Sequence, residues 1–239
     1  MRDDLPRDEV SAAVDCAVTE FLRAARITCP PVDAIALAQR QLGMVICLDR
    51  DQPQRGRAQR SAGRRHIVLR PESREERHQW TVAHEIGEHL KVSLLQRMGC
   101  VPGEMPAMAG ESLANLFAYR LLVPALWFAQ DASELDFDVP ELKRRYRTAS
   151  HEVIAWRFLD LAEPCVITIV DNDHVHRRRS NCVRVTKSLE SVERECQRYV
   201  HQHGRARVVR KDRWTVFGWP IHQGEWKREI LRTVVDESF

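Results

Sequence analysis

The chain reads as an α+β protein, and three observations carry that reading. Apolar residues recur at helical spacing through the first two-thirds, with short β-type runs between them. Strand-like alternation takes over after about residue 164. Charge follows the same division: acidic residues outnumber basic ones in residues 1–163, and basic ones outnumber acidic ones in 164–239. We therefore expect a core of helices beside a small sheet over 1–163, and a basic, β-rich region over 164–239.

Taken in order, residues 8–26 place Val10, Val14, Val18, Phe21 and Leu22 on one helical face, and Pro30-Pro31 stops the helix. A second short helix runs from Val32 to Leu42, where Gly43 ends it. Met44 to Leu48 suits a buried strand, and the polar, Arg- and Gln-rich stretch 49–63 suits a loop or a ragged edge hairpin. Ile67, Val68 and Leu69 form another short strand, stopped by Pro71. Ser73 followed by Glu76 has the capping-box spacing and should start the next helix. A Pro- and Gly-containing linker precedes a helix from about Glu111 to Val123, and residues 139–161 read as two helices around Thr148-Ala149-Ser150. Beyond these, C-V-I-T-I-V, C-V-R-V, R-V-V-R and W-T-V-F alternate as strands, with a helix over Leu189 to Gln202 among them.

Composition narrows the class. With 44% apolar and 30% charged residues, the chain is a soluble globular protein rather than a disordered one. Its charged N-terminus, M-R-D-D-L-P-R-D-E-V, carries no apolar stretch of the kind a secretory signal needs. The longest apolar run, near Leu121 to Ala129, falls far short of the roughly 18 residues of a membrane span, and Pro124 interrupts it. The 7 cysteines are odd in number, scattered and without a C-x-x-C pair, which suits reduced thiols in a cytoplasm. The basic C-terminal region could meet nucleic acid or an acidic partner, or simply be a solvated surface.

Thr81 to Leu90 reads T-V-A-H-E-I-G-E-H-L. In the H-E-x-x-H pattern, two imidazoles one turn apart grip a metal and the Glu between them activates a water. Here His84 and Glu85 are in place, Glu88 stands where the second histidine belongs, and His89 comes one step late. Residues four apart on a helix lie about 40° apart in projection, so His84 and Glu88 can face one ion; five apart is about 140°, which turns His89 toward the side of Val82 and Ile86. Only a π-bulge would bring His89 round, so Glu88 is the expected ligand and His89 a structural imidazole. Alone, H-E-x-x-E is a weak signal. A second helix strengthens it: Glu111 to Pro124 has the form E-x-x-A-N-x-F-A-x-x-L-L-x-P. A third ligand from a separate helix, Glu111, would complete a three-ligand site with an open position for water. Asn115, one turn on, could orient the Glu111 carboxylate or a neighbouring loop, and small Ala114 and Ala118 would let the two helices approach closely.

At these residues the chain resembles the ImmA/IrrE family of metallopeptidases. The likeness spans P-V-D-A-I-A-L-A, the I-V-L-R-P strand, the lead-in E-E-R-H-Q-W-T-V-A-H-E-I-G and the A-N-x-F-A-x-x-L-L-x-P helix. It implies a zincin-like, gluzincin-type core over 1–163, with His84 as first ligand, Glu85 as general base and Glu111 as third ligand. Glu88 departs from the family's second histidine. The resemblance further implies a Zn²⁺ cofactor and a protein substrate, a DNA-binding repressor whose cleavage releases a stress or mobile-element programme. One imidazole and two carboxylates put more negative charge on the ion, make its water less acidic, and move preference toward Mn²⁺ or Fe²⁺. A weakly active or inactive regulator that only binds metal or protein is the alternative.

A different class of function is written in 139–161. The segment L-K-R-R-Y-R-T-A-S-H-E-V-I-A-W-R-F-L-D-L has the cadence of a helix-turn-helix, with Ser150 capping a second helix. A DNA reader would set that helix in a major groove and Lys143 to Arg147 on phosphates. Against it, Val153, Ile154, Trp156, Phe158 and Leu159 are enough to bury the helix. Tyr119 and His78 are the nearest candidates for a second oxyanion donor, and each is more often a packing or surface residue.

Overall fold

The computed structural model describes residues 7–61, 63–100 and 107–235, with the side chains of residues 7 and 107–111 outside that description. Its described residues form eight α-helices, one 3-10 turn and eight strands in two sheets, an α+β architecture. They divide into two compact units, one of residues 1–136 and 144–150 and the other of 137–143 and 151–239.

In the first unit the helices α1 (Arg7–Ala24), α2 (Ala34–Leu42), α3 (Glu75–Arg97), α4 (Ala107–Leu122) and α5 (Ala125–Glu134) accompany β1 (Val45–Leu48), β2 (Gly56–Ser61) and β3 (Arg64–Leu69). The sheet runs β1-β3-β2, with β1 parallel and β2 antiparallel to the central β3. Ile67, Val68 and Leu69 bury the inner half of β3, while β2 is mostly exposed, as an edge strand can be. Asp33 caps α2 by accepting from the Ala36 amide at 2.9 Å, and Gly43 closes it at φ 59, in the left-handed region that a residue without Cβ enters freely. Gln79 of α3, buried, accepts from the Ala34 amide at 2.7 Å and donates to Asp33 at 3.0 Å, which ties the start of α2 to α3.

The start of α3 differs from expectation. Ser73 is not the cap; the N-cap is Arg74, in extended backbone and without a side-chain cap. Glu72 anchors this end instead, accepting from Arg77 at 2.7 Å and Arg70 at 3.4 Å. The Arg77 hydrogen bond holds the Glu72 carboxyl below the usual carboxylate range. Along α3, Gln79, Val82, Ala83, Ile86, Gly87, Leu94 and Leu95 are buried, a 3.6-period stripe. On α4 the buried residues Leu113, Ala114, Phe117, Ala118, Leu121 and Leu122 answer it. Arg120 is buried and paired with Asp15 of α1. Helix α5, which sequence spacing did not separate from the preceding run, begins immediately after Pro124.

The second unit centres on a five-stranded antiparallel sheet, order β5-β4-β8-β7-β6. Its strands are β4 (Cys165–Asp171), β5 (His174–Ser180), β6 (Arg207–Lys211), β7 (Trp214–Pro220) and β8 (Arg228–Val235). Helix α6 (Val139–Arg145) carries the division between the units, and α7 (His151–Arg157) with the 3-10 turn Phe158–Asp160 packs on β4 and β8. The other face is covered by α8 (Ser191–His203), whose Val192, Cys196 and Val200 bury against Val209, Val216 and Leu231. Strands β4 and β8 are buried on both faces, β4 as a largely apolar run and β8 with Glu229, Arg232 and Thr233 among its buried residues, while the edges β5 and β6 are arginine-rich. The expected strand at Cys182 to Val185 does not form. The Ser180 hydroxyl accepts from the amides of Cys182 and Val183 at 3.1 and 3.2 Å and turns the chain away from the sheet. No single helix among the described residues is long and apolar enough to cross a membrane, and all seven cysteines are free thiols.

Candidate metal centre

Helix α3 presents His84, Glu85 and Glu88, and α4 crosses it where Gly87 of α3 meets Ala114 of α4. A Cβ added to Gly87 would lie 3.0 Å from the Cα and the carbonyl oxygen of Ala114, so glycine sets how near the two backbones come. That closeness brings Asn115 to His84: Nδ1 lies 3.1 Å from Asn115 Oδ1, and since an amide oxygen only accepts, Nδ1–H donates. The imidazole is thereby held in the tautomer whose Nε2 carries the lone pair. Asn115 thus orients the histidine, where the sequence suggested the Glu111 carboxylate or a loop.

His84, Glu85 and Glu88 are each half-buried. The Glu88 Oε2 accepts from Lys91 Nζ at 2.6 Å, one turn further along the helix. Lys91 is a partner sequence reasoning missed, although the i, i+3 spacing was there to find it. His89 turns to the sheet, where its Nδ1 accepts from the Arg65 guanidinium of β3. Partial burial, with the Arg65 and Arg60 charges adding to it, holds the His89 pKa below the usual histidine value. This is the structural imidazole that helical projection gave it.

Glu111 sits on α4 one turn before Asn115, but its side chain lies outside the described residues. Among the described residues no three His, Cys, Asp or Glu side chains gather as a metal-holding group. What the site does show fits an ion: a histidine whose far nitrogen is fixed by an amide, with a carboxylate on the same helical face. The two oxyanion candidates take other parts. His78 Nε2 bonds the Arg70 carbonyl at 2.9 Å, and Tyr119 packs edge-on against Trp80 with ring centroids 4.4 Å apart. Helix α7 is spent on the core, since Val153, Ile154, Ala155, Trp156 and Arg157 are all buried. A recognition helix needs a free face for a groove, and α7 has given its own to β4 and β8.

No curated protein matches the chain. In fold it is similar to a Mycobacterium tuberculosis transcriptional regulator, with a TM-score of 0.67 and 15% identity over 97% of this chain and 81% of that one. The family model of the IrrE N-terminal-like domain matches residues 39–158, half of the chain and the whole span from β1 through α7. That family is one of metallopeptidases, which implies a metal ion and a protein substrate. The motif helix, its crossing with the A-N helix and this match agree: the chain belongs to the IrrE N-terminal-like peptidase family.

Proposed function

We propose that the chain is a metal-dependent endopeptidase of ImmA/IrrE type, with a zincin-like core, that cleaves a regulatory protein of the DNA-binding repressor class. The observation that carries this is the His84–Asn115 bond at the α3–α4 crossing, because a residue that fixes one nitrogen of an imidazole prepares the other for an ion. His84 Nε2, Glu88 and Glu111 would hold the metal, with zinc as the first candidate and Mn²⁺ or Fe²⁺ favoured by carboxylate-rich ligation. When bound, the ion would polarise the scissile carbonyl and lower the pKa of a water. Glu85 takes the water proton on its carboxylate and passes it to the leaving amine. Asn115 keeps His84 from rotating, and Ala114 with Gly87 keeps the two helices in reach of each other.

The Glu88–Lys91 pair favours a second reading, a regulator that binds metal or protein with little turnover, because Lys91 already occupies part of the stand-in ligand. Metal content of the purified protein and of its variants tests the ligand set. Glu88→Ala should lose metal, while His89→Ala and Glu85→Gln keep it; loss on His89→Ala with retention on Glu88→Ala would overturn the assignment. Cleavage of a co-expressed repressor-like protein, abolished by Glu85→Gln in a metal-loaded sample, then separates the peptidase from the regulator.

A further inference from the structure

We propose that the second unit carries a binding cleft for a phosphate-bearing ligand of nucleotide type, with Lys187, Arg194 and Arg198 as its anion-holding rim. The cleft has a volume of about 560 Å³ and lies between three stretches of chain: the start of β5, residues 187–189 and the outer face of α8. It is built from residues of the second unit alone and does not depend on the proposed peptidase.

Three cations, Lys187, Arg194 and Arg198, converge on the cleft. Within this unit Arg178 pairs with Glu193 at 2.9 Å and Arg228 with Asp171 at 2.6 Å and Glu152 at 2.7 Å, while the buried Arg232 lies over the rings of Phe137, Phe158 and Phe217. Around the cleft, among the described residues, neither Lys187, Arg194 nor Arg198 pairs with a carboxylate, and Arg194 bonds the Leu189 carbonyl at 3.2 Å. Arg194 also lies near the N-terminal turn of α8, where the helix dipole disfavours a cation. Three cations gathered against both mutual repulsion and a dipole are what an anion would compensate. Guanidinium groups grip phosphate oxygens in pairs and an ammonium adds a point charge.

The floor is built rather than merely solvent-exposed. Gln197, 5% exposed, donates to Asp173 Oδ1 at 2.8 Å, and His201 Nε2 lies 3.3 Å from the other Asp173 oxygen, so the acid of this cavity is held by two neighbours; Glu195 borders the adjoining one. A second cavity of about 550 Å³ shares Arg194, Arg198 and Gln202 with the first and is bordered by Tyr199 and His203, stacked with centroids 4.2 Å apart. His203 is exposed and offers a ring on which a base can stack. Both volumes lie in the range of small-ligand sites, about 300–1,000 Å³. Phosphates at Arg194 and Arg198 with a base at His203 describe a nucleoside phosphate, free or within a strand.

Calorimetric titration of the full chain with adenosine, adenosine triphosphate, inorganic pyrophosphate and a single strand of about 12 nucleotides tests this. Two double variants remove equal charge: Arg194→Ala/Arg198→Ala at the rim, and Arg177→Ala/Arg179→Ala on the sheet face that holds Glu152 and Trp156. Thermal melts establish that both remain folded. Expected are saturable binding of adenosine triphosphate, tighter than adenosine by at least ~10-fold, and a loss of ~10-fold or more in the rim variant alone. Pyrophosphate bound more weakly but lost with the same variant supports the phosphate contact. A strand bound more tightly than the nucleotide, with the same dependence, assigns nucleic acid as the source. No saturable binding of any probe, or equal losses in both double variants, overturns the cleft.

Discussion

The second unit buries two of its glutamates and saturates them, whereas Glu88 of the first lies half in water. Glu193 and Glu229 have no exposed surface; Glu193 is held by Arg178 at 2.9 Å and Thr233 at 2.7 Å, and His201 and His222 each reach Glu229 Oε1 at 2.9 Å. Glu88 of the first unit keeps 30% of its side chain exposed and bonds to Lys91 at a surface where such pairs contribute little. A buried charge whose oxygens are all engaged has a structural part. A half-exposed carboxylate beside a histidine held from behind keeps room for a ligand.

The largest effect should come from breaking the saturated side. Glu193→Ala leaves Arg178, 5% exposed, without its carboxylate and should cost about 3–5 kcal/mol in denaturant unfolding. A loss below 1 kcal/mol would mean that the network is solvated and the contrast false. On the other side, Asn115→Ala should weaken metal binding by about 10–100-fold with little change in melting temperature, since it frees the His84 ring rather than a core group. Unchanged affinity would remove His84 from the ligand set.

Gly87→Ala sharpens the comparison through packing. The added methyl meets the Ala114 backbone at 3.0 Å, and overpacking of about 1–3 kcal/mol should outweigh the helix-propensity gain of about 0.5–1 kcal/mol. A lowered melting temperature together with weaker metal binding is expected; a rise in melting temperature would show that the crossing is loose.

The smallest effect is the pH dependence of His89. Its folded pKa lies below the unfolded value of about 6.5, so the unfolded chain binds more protons between the two. The stability contribution is complete above about pH 6.5 and is lost as pH falls from there toward the folded pKa. His89→Gln should flatten that part of the pH–stability curve, and an unaltered slope would place the titration elsewhere.

Residue spacing alone made much of the first unit legible. The periods that predicted α1 through α4, the short strands β1 and β3, and the turn of His89 away from His84 all follow from local geometry, which the chain carries at every position. Where Glu72 displaced Ser73 at the start of α3, the deciding partners Arg70 and Arg77 were close in sequence, yet their convergence needed a fixed backbone. The second unit was less legible. Arginines hid β5, because an edge strand does not have to bury both faces, and β8 completes its pairing with β4 and β7 from distant stretches of chain.

The sequence by itself determined the helical phase that sets Glu88 on the face of His84 and turns His89 away, the small residues that permit the helix crossing, and the family. Only the tertiary structure decided that Asn115 holds His84, that Arg65 claims His89, and that three cations of the second unit share a cleft with no acid paired to them. The reason is physical: phase and volume are properties of a single stretch of chain, whereas a hydrogen bond or an uncompensated charge depends on which distant groups packing has brought within reach.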